Sequence, residues 1–345
     1  VTALEDVRCY ANWMWAAKLP GEVAAIHDAA VAASELMTFL GIAIDGGKDS
    51  LSMAAVTPEG EVVKAPGTLA VSAYVTCPDV TAVVTPDLEL PGEGRLILVD
   101  LGGGRSRLGG SALAQVFGQV GDESPDVDDP DLLARGFRAV QELIGDGFVT
   151  AGHDRSDGGL ITCLLEMSFA GNVGIDIALD DPRGVGAIAL LFAEEAGLVL
   201  EVRAANVDRA MSALAEARVP CMQIGSTRRD FEVRMTVGGE VVLDADLRDL
   251  RDRWEATSFQ LERRQADADC VAAEESGLRH RHAPAYELGF APRPTASAVL
   301  EGSAKPAVAI LREEGSNGDR EMAAAFWLAG FEPWDVTMSD LLAGR

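Results

Sequence analysis

The sequence predicts an α+β fold followed by the opening of a second, parallel α/β unit. Three observations lead to this. Apolar residues recur at helical spacing in some segments and alternate or run unbroken in others. Residues 270–304 carry Ala-Pro breaks and few β-branched residues, the composition of a tether. After them a buried-strand pattern, a glycine loop and an alanine-rich helix begin afresh. At 345 residues the chain has room for about two domains and part of a third. Its 48% apolar and 24% charged residues suit a chain that buries a core.

The elements follow in order. Val23, Ile26, Ala30, Ala33, Leu36, Phe39 and Leu40 form a helical stripe over residues 22–40, which Gly41 ends. Ile42-Ala43-Ile44 reads as a strand leading into Asp45-Gly46-Gly47-Lys48-Asp49-Ser50, and Leu69 to Val75 as another strand. Pro78, Pro86 and Pro91 with Gly92 and Gly94 make 78–94 a linker. Leu96-Ile97-Leu98-Val99 is a β run, and helices are expected at Ser111–Val120 and Asp131–Ile144 with an acidic solvated loop between them. Phe148-Val149 leads into His153-Asp154-Arg155-Ser156-Asp157-Gly158-Gly159. A helix with Leu160, Leu164, Leu165, Met167 and Phe169 follows. Then come a strand at Leu198–Val202, a helix at Val207–Ala217, and a hairpin turning at Gly238-Gly239. Leu247 to about Asp269 is charge-dense and helical. The last unit is a strand at Val308–Leu311, a loop at 313–318, a helix, and a strand at Trp334-Asp335-Val336.

Charge narrows the function. Twenty-nine basic against 55 acidic residues leave −26, which argues against gripping a nucleic-acid backbone. No unbroken run of about 20 apolar residues is present, so no membrane span is expected. The N-terminus lacks the basic and apolar regions of a secretory signal. Cys9, Cys77, Cys163, Cys221 and Cys270 are scattered without a CxxC pair, most of them in apolar contexts where buried thiols are ordinary. They point to a reducing compartment, the cytoplasm, and away from a cysteine metal site. The chain begins at Val1 and stops at Arg345 just after an amphipathic segment, so a piece of a longer polypeptide is expected.

The loop at 153–159 is richest in chemistry. It sets an imidazole, two carboxylates, a guanidinium and a hydroxyl between a strand and a helix, with two glycines that permit unusual φ. A helix N-terminus there would offer free N–H groups to an anion. Asp154 is a natural Mg²⁺ ligand, because Mg²⁺ takes one or two protein oxygens with water and phosphate. Ser156 can donate to a phosphate. The plain alternative is that Ser156 or Asp157 merely caps the helix. His153 could serve as a general base or as a structural hydrogen-bonder. Asp45–Ser50 has the ingredients of an anion nest, backbone donors with one lysine, although it is no Walker A loop and an ordinary turn would explain it equally. Gly315-Ser316-Asn317 lies where an α/β sheet would place a ligand, or is simply a turn. Trp13 and Trp15 read as core or interface, and His280 and His282 lack the company of metal ligands.

Several strings carry a resemblance. Ala11-Asn12-Trp13-Met14, Gly46 to Met53, Leu108 to Gln115, His153 to Leu160, Phe192-Ala193-Glu194-Glu195 and Ile310 to Gly318 resemble, in order and over nearly the whole chain, the single-chain phosphoribosylformylglycinamidine synthase family. The resemblance implies an aminoimidazole-ribonucleotide-synthetase-like unit with a partial N-terminal subdomain at 1–90 and a C-terminal subdomain at 91–246. A helical segment and linker at 247–304 would follow. Residues 305–345 would be the first β-α-β of a flavodoxin-like glutaminase domain. It also implies an ATP- and Mg²⁺-dependent ligase of purine biosynthesis that joins ammonia from glutamine to formylglycinamide ribonucleotide. By resemblance Asp154 falls on a Mg²⁺ ligand, Ser156 on an ATP contact, and Lys48, Asp49 and Ser50 on a signature facing the nucleotide cleft. The family's other metal ligands, a Glu and an Asn, and its first synthetase copy would precede Val1. The glutaminase Cys, His and Glu would lie beyond Arg345, so no catalytic residue is expected within the chain and this stretch alone should not hydrolyse glutamine. The two-copy build also admits another role, a nucleotide-binding half that braces the active one without turning over.

Overall fold

The structure, a computed structural model, describes residues 3–280, 288–291, 293–313 and 315–344. The chain divides into two compact units, one up to residue 282 and one after it.

The first unit starts with β1 (Arg8–Met14), α1 (Glu22–Leu40), β2 (Ala43–Ser50), the short β3 (Ala54–Val56) and β4 (Val62–Lys64), and β5 (Thr68–Tyr74). Three of these strands form a sheet in the order β2-β1-β5, with β1 parallel to β2 and antiparallel to β5. Alternation sets the faces of β1: Cys9 and Ala11 are buried, whereas Tyr10 between them is 44% exposed. Gly41 closes α1 in the left-handed region, its N–H reaching the Met37 and Thr38 carbonyls. Trp13 and Trp15 stack edge-to-face at 6.0 Å, and the Trp15 indole donates to Glu22 at 2.9 Å. Among the described residues, α1 is the one helix long and apolar enough by length and composition to cross a membrane. It is not an unbroken apolar run, because Asp28 and Glu35 interrupt the helix, each carboxylate being expensive at a bilayer centre.

The next stretch holds β6 (Gly94–Asp100), α2 (Ala112–Val116), α3 (Pro130–Gly145), β7 (Val149–Asp154), α4 (Gly159–Gly171), β8 (Ile175–Leu179), α5 (Ala187–Phe192), β9 (Gly197–Arg203), α6 (Val207–Glu216), β10 (Cys221–Thr227), β11 (Glu232–Val237) and β12 (Glu240–Asp246). Seven strands form one sheet in the order β12-β11-β8-β10-β6-β9-β7, antiparallel except for the parallel β8–β11 pair. Both faces are covered. Leu96 and Leu98 join Leu160, Leu164 and Met167 of α4 on one side, while Ile97 and Val99 join Val140, Leu143 and Leu214 of α3 and α6 on the other. That is why Leu96–Val99 is apolar without alternation. Gly238 and Gly239 both take positive φ at the β11–β12 turn, as a tight hairpin demands.

Three expectations need correction. The helix at 111–120 stops at Val116, because Gly118 and Gly121 turn left-handed and the Gly110 N–H reaches the Val120 carbonyl. Residues 78–93 lack regular structure but are stitched down: the buried Glu201 carboxylate accepts from the Glu89 and Leu90 amides, and Leu88 and Leu90 are buried. The acidic loop is exposed as expected, and within it Asp129 caps α3 and Asp128 pairs with Arg107. Finally, α7 (Leu247–Glu262) is followed by α8 (Ala268–Gly277), so the first residues read as a tether are helix. Asp267 caps α8, and Phe259, Val271 and Leu278 cluster against one another.

The second unit has α9 (Ser297–Leu300), β13 (Ala307–Arg312), α10 (Asp319–Leu328), β14 (Glu332–Thr337) and α11 (Met338–Leu342), with β13 and β14 parallel. Thr337 and Asp340 form a capping box at α11. His282 and Glu314 lie outside the described residues.

Candidate functional site

The corner at 153–159 sits where β7 ends against β9 and α4 begins. Asp154, the last residue of β7, points outward with its side chain 64% exposed. Burial opposes its charge, but hydrogen bonds from the Ser156 hydroxyl, the backbone and His153 outweigh that and hold its carboxyl below the usual carboxylate range. Ser156 and Asp157 are exposed beside it. His153 is held between two carboxylates, Nδ1 lying 3.1 Å from Asp154 and Nε2 2.7 Å from Glu166 on α4. An imidazole so engaged orients Asp154 and is a poor free base. A cavity of about 450 Å³ opens beside this corner, walled by apolar groups including Val84, Phe137, Ile144 and Leu198, with Gln141, His153 and Asp154 as polar members.

Arg155 turns the other way. It is 8% exposed and donates to the Glu195 carbonyl at 2.6 Å, the Ala196 carbonyl at 2.9 Å and Asp100 at 3.1 Å, so it anchors the corner and faces no ligand. The capping alternative fails as well, since the residue preceding α4 is Gly158 in the left-handed region, with no side-chain cap. The start of α4 is also less free than the sequence implies. The Gly158 N–H donates to Glu194 at 2.8 Å and the Gly159 N–H to the Ser156 carbonyl at 2.9 Å.

The region after β6 belongs to the same neighbourhood. Asp100 accepts from the Gly102 and Gly104 amides, and Arg107 meets the fully buried Glu195 through its own amide at 2.9 Å and its guanidinium at 2.8 and 2.7 Å. Desolvation opposes the Glu195 charge, yet Arg107 prevails and keeps its carboxyl below the ordinary range. A second cavity, of about 540 Å³, borders Arg105 to Gly109 and Arg183.

Lys48, Asp49 and Ser50 are not a nest. They continue β2 in parallel register with Asn12, Trp13 and Met14, and the Lys48 ammonium donates to Ser50 at 2.7 Å. Gly47 is required there, because a Cβ would meet the Ala11 carbonyl oxygen at 1.9 Å. None of the three lines the cavity beside Asp154. The loop after β13 closes on itself, with the Glu313 amide donating to the Ser316 hydroxyl at 2.9 Å. Glu166, Glu194 and Glu195 were missed as site residues. The available signal was an adjacent acidic pair inside the apolar run Leu190 to Leu198, since carboxylates in such runs are buried only when paired.

Among the described residues no three Asp, Glu, His or Cys side chains converge on one point. Magnesium nonetheless fits the donor chemistry at Asp154, an ionised and accessible oxygen ligand, with water and phosphate filling the other positions.

Residues 1–76 match the FGAR-AT PurM_N-like domain, 93–238 the C-terminal domain of AIR synthase related proteins, and 305–345 the CobB/CobQ-like glutamine amidotransferase domain. The chain is 56% identical over 345 residues to the probable phosphoribosylformylglycinamidine synthase of Arabidopsis thaliana, named as chloroplastic/mitochondrial. Over 349 aligned residues it is 54% identical to the Homo sapiens phosphoribosylformylglycinamidine synthase. Along its whole length the chain is similar to one part of these phosphoribosylformylglycinamidine synthases. It spans 24% and 26% of those relatives. Among solved structures, Thermotoga maritima PurL complexed with ATP gives a TM-score of 0.50 at 14% identity, covering 71% of this chain and 38% of that one. The same protein complexed with FGAR gives 0.51 at 15%, covering 72% and 40%. These establish the fold: an α+β unit of the AIR-synthase-related kind, followed by the start of a glutamine amidotransferase domain.

Proposed function

We propose that this chain supplies one part of an ATP- and Mg²⁺-dependent ligase that converts formylglycinamide ribonucleotide, glutamine and ATP to formylglycinamidine ribonucleotide in purine biosynthesis. The observation that carries this is an exposed, ionised Asp154 beside Ser156 at a strand end, in a chain 56% identical throughout to a named synthase. In this reading 1–90 and 91–246 are the two subdomains of a synthetase-like unit, 247–304 a helical linker, and 305–345 the start of the glutaminase domain. The other synthetase and glutaminase parts of the same polypeptide are its partners, and the cytoplasm its location.

Asp154 would hold the magnesium ion, and Ser156 would contact the triphosphate. Lys48, Asp49 and Ser50 remain nucleotide contacts of lower rank, to be met only if the cleft extends to β2. When bound, the ion supplies neutralisation of phosphate charge. His153 keeps Asp154 oriented toward that charge, and the apolar cavity beside it excludes water from one side. In this reading the nucleophile that releases ammonia from glutamine belongs to the glutaminase part of the same polypeptide. Cys9 is buried, and burial together with the Asp154 and Glu166 charges pushes the Cys163 thiol up to about 12.

Asp154→Asn in the full-length protein tests the assignment. Turnover falling at least about 100-fold with an unchanged melting temperature supports a catalytic nucleotide site. Turnover retained with a lowered melting temperature supports the bracing role, and neither change removes the nucleotide from this corner.

A further inference from the structure

We infer that Glu194 is a positioning residue that fixes the nucleotide corner and the loop after β6 with a single carboxylate oxygen. The inference rests on the nucleotide reading of that corner. Glu194 Oε1 accepts from the Gly158 N–H at the start of α4 and from the Ala112 N–H at the start of α2, both at 2.8 Å. The two donors are 46 positions apart in sequence, their separations from Glu194 being 36 and 82. Both belong to helix starts, whose amides have no partner within the helix. An anionic ligand is the usual occupant of such a place, and here the protein fills it with its own side chain.

The residues around Glu194 make the same connection by backbone. A Cβ on Gly159 would lie 2.6 Å from the Phe192 carbonyl carbon, so the corner rests directly on the chain that leads to Glu194. The Leu101 amide donates to the Ala196 carbonyl at 3.1 Å, tying down the exit of β6. Arg155 seizes the Glu195 and Ala196 carbonyls from the corner side. Glu194 to Ala196 is therefore a seat for two loops, and Glu194 is the member whose side chain touches both. With the Gly158 and Gly159 amides engaged by Glu194 and Ser156, triphosphate charge at this corner is met chiefly by Asp154 and its ion. Glu194 sets where Asp154 and Ser156 stand without itself reaching a ligand.

The test uses full-length protein and calorimetric titration with magnesium and the analogue AMPPCP. The binding lost in Asp154→Asn defines the share belonging to this corner. Glu194→Ala should weaken that share about tenfold, the scale of one charge-assisted hydrogen bond, while Glu194→Gln, which keeps a carbonyl acceptor, should stay within about threefold. Amide exchange should quicken in Glu194→Ala at peptides holding Ala112 and Gly158 and recover in Glu194→Gln. A Glu194→Ala protein that binds like wild type while Asp154→Asn does not overturns the inference and leaves the nucleotide reading standing. Equal losses in Glu194→Ala and Glu194→Gln overturn it too, since the acceptor is then irrelevant. Wild-type binding by Asp154→Asn defeats the nucleotide reading and this inference with it. Should Glu194→Ala fail to fold, unchanged exchange at Ala112 and Gly158 in Glu194→Lys, which removes the acceptor, is the overturning result.

Discussion

Two sheets of the first unit are built on opposite terms. In the seven-stranded sheet, β6 runs Leu96 to Val99 with every side chain buried, and β9 does nearly the same. In the three-stranded sheet, β2 has no buried residue at all, and Ile44, Val71 and Tyr74 are each more than 40% exposed. Both sheets are paired along their strands and both carry register irregularities, so hydrogen bonds do not distinguish them. What differs is whether apolar area leaves water, which dominates the free energy of a sheet. The chemistry follows that division. Asp154, Ser156 and Glu194 stand on loops anchored in the covered sheet, whereas Lys48 to Ser50 lie on the uncovered one.

The sharpest way to break this contrast is to attack the charge network that the covered sheet carries at its edge. Glu195→Ala strands the guanidinium of Arg107, which is only 10% exposed and otherwise meets the exposed Asp128. Loss of a buried partner of this kind costs about 3–5 kcal/mol. Urea denaturation of this chain measures it, and a cost under about 1 kcal/mol would mean that the network is ornamental. An intermediate effect is expected where the covered sheet hands over to α7. Arg248 holds the Asp246 carboxyl down to about 2, its side chain first and its amide after, against the effect of burial. The folded value lies below the unfolded one, so this stabilisation is present above about pH 4 and is lost as pH falls toward 2. Because Asp246 is a quarter exposed and screened, about 1 kcal/mol is expected at neutral pH. Asp246→Ala should remove both that amount and the acid-limb slope between pH 4 and 2 in thermal melts, and Asp246→Asn should keep the cap but lose the slope.

How much of this was legible depended on the range of the interaction. Leu96–Val99 was legible as a β run, and the structure adds that it is covered on both faces, which is what tolerates four consecutive large apolar residues. The corner was legible because five polar residues in a row between apolar elements exceed what a turn requires. By contrast β2 was read short, at Ile44. Its continuation through Asp45, Gly46, Gly47, Lys48 and Asp49 has little strand propensity and is held by pairing with β1, a tertiary choice. Glu194 was invisible as a clamp for a similar reason. Its two partners are distant in sequence, and nothing local separates a surface glutamate from one that seats two loops. Arg155 looked like a ligand group by its neighbours, although alternation along the corner sends it inward between Asp154 and Ser156.

The smallest effect is the most telling about the uncovered sheet. Ile44 is 42% exposed and pairs across the strands with the buried Cys9. Ile44→Thr keeps the β-branch, so in this chain it should change stability by no more than about 0.5 kcal/mol. Leu96→Ala, at a position with no exposure, should cost about 3 kcal/mol in the same assay. The pair calibrates the comparison internally, because both side chains sit on paired strands of the same unit. Repeating Ile44→Thr in the full-length protein then sharpens it. A cost that stays near zero leaves this face in water there too. A rise to about 1–2 kcal/mol means that the apolar side chain has become buried, since an ethyl group exchanged for a hydroxyl is costly only where water is excluded.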